Sequence, residues 1–205
     1  MKRTALALTL VMTLVFSFLF CGILVQPVKS KFIASVFIAE DGSVVGTNSI
    51  QRNGNIYTLT GNISGSIQVQ KSYIIIDGAG YTVNGRREGV GIDLSNGRGQ
   101  EPSRTQINNV TVKNLQIINW SYGICNENTN NNTFIGNYIA DCNGTGFSIM
   151  GSHNNTFIYN TFEDCASGIT ITYVSSGNVI TENNVINVGF LVLIWGAPKP
   201  VVDRN

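Results

Sequence analysis

Asp141 and Asp164 stand 23 residues apart, and each is followed directly by a cysteine, Cys142 and Cys165. Two carboxylates held side by side can bind a hard divalent cation such as calcium, or share a proton and so differ in acidity. Two thiols with Met150 and His153 close by in sequence make the soft donor set that copper favours, and the thiols alone would permit a disulfide. Each pattern has a plainer reading. The aspartates are then solvated turn residues, and the cysteines are small buried side chains that recur at one position of a repeat. A hydrolase would also need partners that position its carboxylates. No cofactor is expected, and calcium and copper are the ions these sets would admit.

Two further groups of side chains carry chemistry. Acceptor sequences for N-glycosylation begin at Asn62, Asn109, Asn119, Asn131, Asn143 and Asn154, which offers attachment points if the host glycosylates exported chains. Tyr57, Tyr73, Tyr81, Trp120, Tyr122, Tyr138, Tyr159 and Tyr173 would offer platforms for sugar rings wherever they reach one face.

What must position all of these is a repeat. NNTFIGNYIADCNGTGFSIMGSH from Asn131, NNTFIYNTFEDCASGITITYVSS from Asn154 and GNVITENNVINVGFLVLI from Gly177 align every 23 residues, and NVTVKNLQIINWSYGI from Asn109 precedes them with a one-residue slip. Two asparagine ladders are expected, Asn109, Asn132, Asn155, Asn178 and Asn114, Asn137, Asn160, Asn183. Apolar columns run alongside, as Val112, Phe134, Phe157, Ile180, then Ile117, Ile139, Phe162, Val185, then Ile124, Phe147, Ile169, Phe190. Alternation such as Phe147, Ser148, Ile149 has strand period, and no stretch after the first thirty residues has the period of an amphipathic helix. Short strands, turns rich in Gly and Asn and a fixed period predict an all-β solenoid, a right-handed single-stranded parallel β-helix whose coils stack about 4.8 Å apart. Asparagine suits its corners because it tolerates the left-handed backbone region and because stacked amides can hydrogen-bond from coil to coil.

The expected organisation is a signal peptide or membrane anchor over 1–30, an N-terminal cap and first coils over 31–107 with a polar loop near 96–106, regular coils over 108–195 and a tail over 196–205. Lys2 and Arg3 before the apolar run from Ala5 to Val25 give a secretion signal its charge order, and the run is also long enough to span a bilayer. Ile76, Val83 and Ile92 would feed the same three inner columns in the leading coils. Past the last copy, Phe190 to Trp195 are consecutively apolar, so this end must fold back as a cap, meet a partner or mark a shortened array; homodimerisation through it is expected. Only 12% of residues are charged and the net charge is +1, which lacks the electrostatic footprint of a nucleic-acid binder. Cys125, Cys142 and Cys165 remain after the targeting segment, an odd set that leaves at least one free thiol.

The order FIAEDGSV, IQRNGNIYTLTGNISGSIQVQKSYIIIDGAGYTVNG, GIDLS, NVTVKNLQI, YGI and then NNTFIGN-like units resembles the exported NosD-like proteins. They are abundant in archaea and belong to a right-handed β-helix superfamily of periplasmic copper-binding and of carbohydrate-binding and sugar-hydrolysis domains. The resemblance, over about Phe32 to Val192, implies an exported module that contacts carbohydrate or protein at the cell surface, in the envelope or in a periplasm-like space. It leaves two alternatives: a lyase or hydrolase of acidic polysaccharide using Asp141 and Asp164, and a copper-handling accessory protein. Similar β-helices include pectate lyases and polygalacturonases. The paired aspartates, His-Gly and Arg-Ile-Lys elements of the polygalacturonases are missing, and His153 precedes Asn154 rather than glycine.

Overall fold

The computed structural model describes residues 34–95 and 106–205. The signal or anchor segment expected over 1–30 lies outside them, as does the polar loop expected near 96–106 apart from Gln106. Described residues form short strands wound into about six coils of roughly 23 residues. Their strands stack in parallel register on three faces. Face one holds Thr111–Lys113, Thr133–Ile135, Thr156–Ile158, Val179–Thr181 and Val201–Asp203. Face two holds Thr82–Asn84, Gln116–Ile118, Tyr138–Ala140, Thr161–Glu163 and Asn184–Ile186. Face three holds Val90–Asp93, Tyr122–Glu127, Thr145–Met150, Ser167–Thr172 and Phe190–Trp195.

Strands this short need a sharp turn between faces, and the chain makes each one with a left-handed residue. The first corner, before face one, stacks Asn109, Asn131, Asn154 and Gly177; the second stacks Asn114, Gly136, Tyr159 and Glu182; the third stacks Asn119, Asp141, Asp164 and Asn187; the fourth, after face three, stacks Asn128, Gly151, Tyr173 and Gly196. All have φ between 50° and 68°. Asn and Gly bear that conformation at least cost, since other side chains crowd the following carbonyl. At the first three corners the left-handed residue sends the next side chain inward; at the fourth Thr129 and Ser152 follow suit, while after Tyr173 it is Ser175, one residue later, that is buried and Val174 that is exposed.

After the first corner come Val110, Asn132, Asn155 and Asn178. Asn132 Oδ1 accepts the Val110 N–H at 2.8 Å, Asn155 Oδ1 that of Asn132 at 2.9 Å and Asn178 Oδ1 that of Asn155 at 3.0 Å. After the second corner the same bonds run from Leu115 to Asn137, Asn160, Asn183 and on to Asn205. Thr129 and Ser152 do this after the fourth corner, where their N–H groups reach the hydroxyls of Ser152 and Ser175. Every rung supplies an acceptor to a backbone N–H that a corner would otherwise leave buried and unpaired. Asn109 and Asn114 therefore do not belong to the ladders, because Thr111 pairs with Thr133 at a spacing of 22 rather than 23 residues; the two asparagines are surface corners, and Val110 and Leu115 begin the ladders.

The inner columns follow the same register. Ile76, Val83 and Ile92 pair with Val112, Ile117 and Ile124. The third column ends on Val192 rather than Phe190, since Ile169 pairs with Val192 and Phe190 with Ser167. Phe134, Phe147, Phe157 and Phe162 fill the centre, with Phe134 and Phe157 stacked at 5.0 Å and Phe147 edge-on to both Phe157 and Phe162. Gly91, Gly123, Gly146 and Gly168 form a column where face three begins. A Cβ on Gly146 would lie 2.6 Å from Phe162 and 2.8 Å from the Gly168 carbonyl oxygen, so neighbouring coils close only over hydrogen there.

Before the first coil, Ala34–Ile38 pairs antiparallel with Val44–Val45 and Ile50–Asn53 with Ile56–Leu59, a cap unlike the coils that follow. Residues 196–205, read from the sequence as a tail, continue the solenoid: Val201–Asp203 pairs with Val179–Thr181, after Pro198 and Pro200 have interrupted the strands. The last described coil leaves Phe190, Ile194 and Val202 exposed.

Candidate functional site

Asp141 and Asp164 do stack, one coil apart, as the left-handed residues of the third corner, and their N–H groups bond the carbonyls of Glu163 and Ile186. Arg87 joins them from an earlier coil, with Nη2 3.1 Å from Asp141 Oδ1; both side chains are exposed, so the pair adds little stability. Spacing could not reveal Arg87, because the residues between Asn84 and Gln116 break the period. Glu163 lies on face two, where the Tyr138 hydroxyl donates to its Oε2 at 2.7 Å. That bond, then burial and the charges of Glu163, Asp141 and Asp164, push the Tyr138 phenol up to about 12. Among the described residues no group of three or more His, Cys, Asp or Glu side chains is placed to hold a metal ion.

The proposed sulphur set is dispersed. Cys142 and Cys165 occupy the inward position after the third corner, where Trp120 and Val188 stand in adjacent coils. Met150 ends a strand of face three, and His153 lies beyond the fourth corner. A strand of six residues separates the cysteines from His153, a span of roughly 20 Å. A single copper ion cannot bridge it. Equal spacing in sequence stacks equal positions of the coil, and these residues occupy different ones. His153 is itself a rung: its N–H reaches Asn130 Oδ1 at 2.8 Å and its Nδ1 accepts the Ser176 N–H at 3.2 Å.

The two cysteines stand as free, buried thiols rather than the disulfide their stacking would permit. Cys142 Sγ donates to the Ala140 carbonyl at 3.7 Å and Cys165 Sγ to the Glu163 carbonyl at 3.4 Å, each two residues back along its own coil. The neighbouring Cys165 thiol, and then burial, hold the Cys142 thiol above its ordinary range.

The glycosylation acceptors also sort by position. Asn109, Asn131 and Asn154 form one exposed column at the first corner. Asn119 Nδ2 donates to Asn84 Oδ1 at 2.9 Å, Asn143 Nδ2 to the Arg87 carbonyl at 3.1 Å, and Asn62 Oδ1 accepts the Thr82 N–H at 3.0 Å.

Among the aromatic residues, Tyr57 and Trp120 are core, tied by Tyr57 Oη to the Gly42 carbonyl and by Trp120 Nε1 to the Val83 carbonyl. Tyr73, Tyr159 and Tyr173 are exposed left-handed corners. Trp195, which lies outside the set singled out from the sequence, is 79% exposed on the outer side of face three, beside Tyr173 at 64%. Thr172, Tyr173, Trp195 and Gly196 line a cleft of about 500 Å³. A second cleft, about 280 Å³, is lined by Glu40, Gln70, Lys71, Ser72, Tyr73 and Ile107.

Residues 34–205 match the family described as the right-handed beta helix region. The chain belongs to the right-handed β-helix family. Comparison with curated proteins and with solved structures finds no match. This β-helix carries a charged corner at Arg87, Asp141 and Asp164, and exposed aromatic side chains, Tyr173 and Trp195, beside face three.

Proposed function

We propose that this chain is a non-catalytic, exported β-helix module of NosD-like type that contacts carbohydrate at the cell surface or in the envelope through the Tyr173–Trp195 cleft. The observation that carries the reading is the exposure of two large rings beside one another. Leaving an aromatic side chain in water forgoes about 1.5–3 kcal/mol of burial. A sugar ring supplies an apolar C–H face to cover such a surface, with hydroxyls that suit Thr172 and the Tyr173 phenol. Of the two tryptophans, Trp120 is buried and Trp195 exposed, so binding reports through Trp195 fluorescence. Titration with neutral oligosaccharides is expected to change that emission, and Trp195→Ala to abolish binding while leaving the melting temperature in place. Unchanged emission across a glycan array would sink the reading. Export is tested by locating the native protein in cell fractions and sequencing its N-terminus.

A second reading, a lyase or hydrolase of acidic polysaccharide, draws on the approach of Arg87 to Asp141 beside Asp164. It requires release of products from polygalacturonate that Asp141→Asn removes. The corner is convex, and both clefts described above lie elsewhere, which favours the binding module.

A further inference from the structure

Cys142 and Cys165 hold the same inward position in neighbouring coils, directly after the third corner. Two residues before them Ala140 pairs with Glu163 in parallel register, and just after them the Ala166 N–H donates to the Cys142 carbonyl at 3.2 Å. Pairing on both sides sets the two Cα atoms one strand step apart, about 4.8 Å. That separation lies inside the range of about 4.4–6.8 Å that a disulfide spans.

The two sulphurs also share one gap. Cys142 Sγ donates to the Ala140 carbonyl, and Cys165 Sγ reaches out of its own coil to the Ile139 carbonyl at 3.8 Å, so both lie against the end of the strand Tyr138–Ala140. The residues are 1% and 3% exposed. Cys125 sits elsewhere, on face three, where it pairs with Ser148, six residues beyond Cys142 along the coil.

We infer that Cys142 and Cys165 are a redox pair, oxidised to an intercoil disulfide when the chain folds in an oxidising compartment, the two free thiols being its reduced state. The inference rests on the export reading for its oxidant, a disulfide supplied by that compartment. One cysteine thiolate attacks a sulphur of the oxidant and releases the first thiol. The other cysteine thiolate then attacks the protein sulphur of this mixed disulfide and releases the second. The oxidant's S–S bond breaks as the Sγ–Sγ bond forms, two electrons pass from the cysteines to the oxidant, and their two protons end on the released thiols. Burial sets the timing: exchange runs before the coils close over the sulphurs. The bridge joins residues 142 and 165 across one complete turn of the solenoid, which restricts the unfolded chain and so favours the folded one.

The test unfolds the full chain in urea with a thiol reductant, removes the reductant, refolds it in glutathione buffers and traps thiols with N-ethylmaleimide before peptide mapping. With glutathione disulfide in excess, the Cys142 and Cys165 peptides are expected joined and Cys125 trapped as a thiol. The melting temperature should stand about 5–10 °C above that of chain refolded in reduced glutathione alone. Cys142→Ala together with Cys165→Ala should erase that difference, and mapping of the parent chain reads the bridge even where the double variant does not fold. Both cysteines trapped as thiols after oxidative refolding, a bridge through any other cysteine, or a bridge that leaves the melting temperature unchanged overturns the inference. These readouts involve neither sugar nor cell location, so cell fractionation and N-terminal sequencing decide the export reading separately.

Discussion

The side-chain oxygen of Asn155 accepts the backbone N–H of Asn132, 23 residues earlier, at 2.9 Å. Asn155 also donates through Nδ2 to Asn178 Oδ1 at 3.0 Å, so one amide serves two neighbouring coils at once.

Removing a rung orphans a buried donor. Asn155→Ala is expected to cost about 1–3 kcal/mol, the penalty of an unsatisfied buried polar group. Asn109→Gly, at a surface corner with φ of 57°, should stay within about 0.5 kcal/mol. Urea denaturation of both variants checks the assignment of the ladders, and equal losses would count against it.

The glycine column offers a test of how closely the coils approach. Gly146→Ala places a methyl 2.6 Å from Phe162 and 2.8 Å from the Gly168 oxygen, an overpacking expected to cost about 1–3 kcal/mol. Gly80→Ala, with open space around it but φ of 82°, carries only the strain of a left-handed alanine, about 1–2 kcal/mol. Cavity-filling behaviour, with Gly146→Ala as stable as the parent, would show that the coils are looser than described.

Tyr138 should ionise near 12, because its proton is held by Glu163. Difference ultraviolet titration against Tyr138→Phe isolates this group among the other tyrosines. Glu163→Gln is expected to bring the transition back toward 10, the ordinary value for a phenol. The interaction favours the protonated phenol, so its contribution to stability is present below the unfolded value and is lost as pH rises through the folded one.

Asp77 behaves in the opposite sense. Burial alone would raise its carboxyl, but Lys113, the Ala79 N–H and Asn114 Nδ2 hold it below its ordinary value of 3.8. Its contribution is therefore present above that value and disappears as pH falls through the lowered folded one. The stability difference between the parent and Asp77→Asn, from urea midpoints across acid pH, should shrink in that window. A difference independent of pH would remove Asp77 from the acid response.

The solenoid was legible because its repeat is a physical period: Phe134, Phe157 and Ile180 recur because each coil must bring an apolar side chain to the same inner column. The asparagines after the corners were legible for the same reason. The slip ahead of Asn131 was harder to place. Asn109 sits 23 residues before Asn132 and so imitates a rung, and only strand pairing shows Val110 in that place. Of the sites, the sequence determined that Asp141 with Asp164 and Cys142 with Cys165 would stack, since equal positions of a coil must. It could not separate Met150 and His153 from those cysteines, because distance around a coil depends on where its corners fall. Nor could it bring Arg87 to Asp141. That meeting depends on how the irregular early coils close onto the regular ones, and the tertiary structure alone decides that.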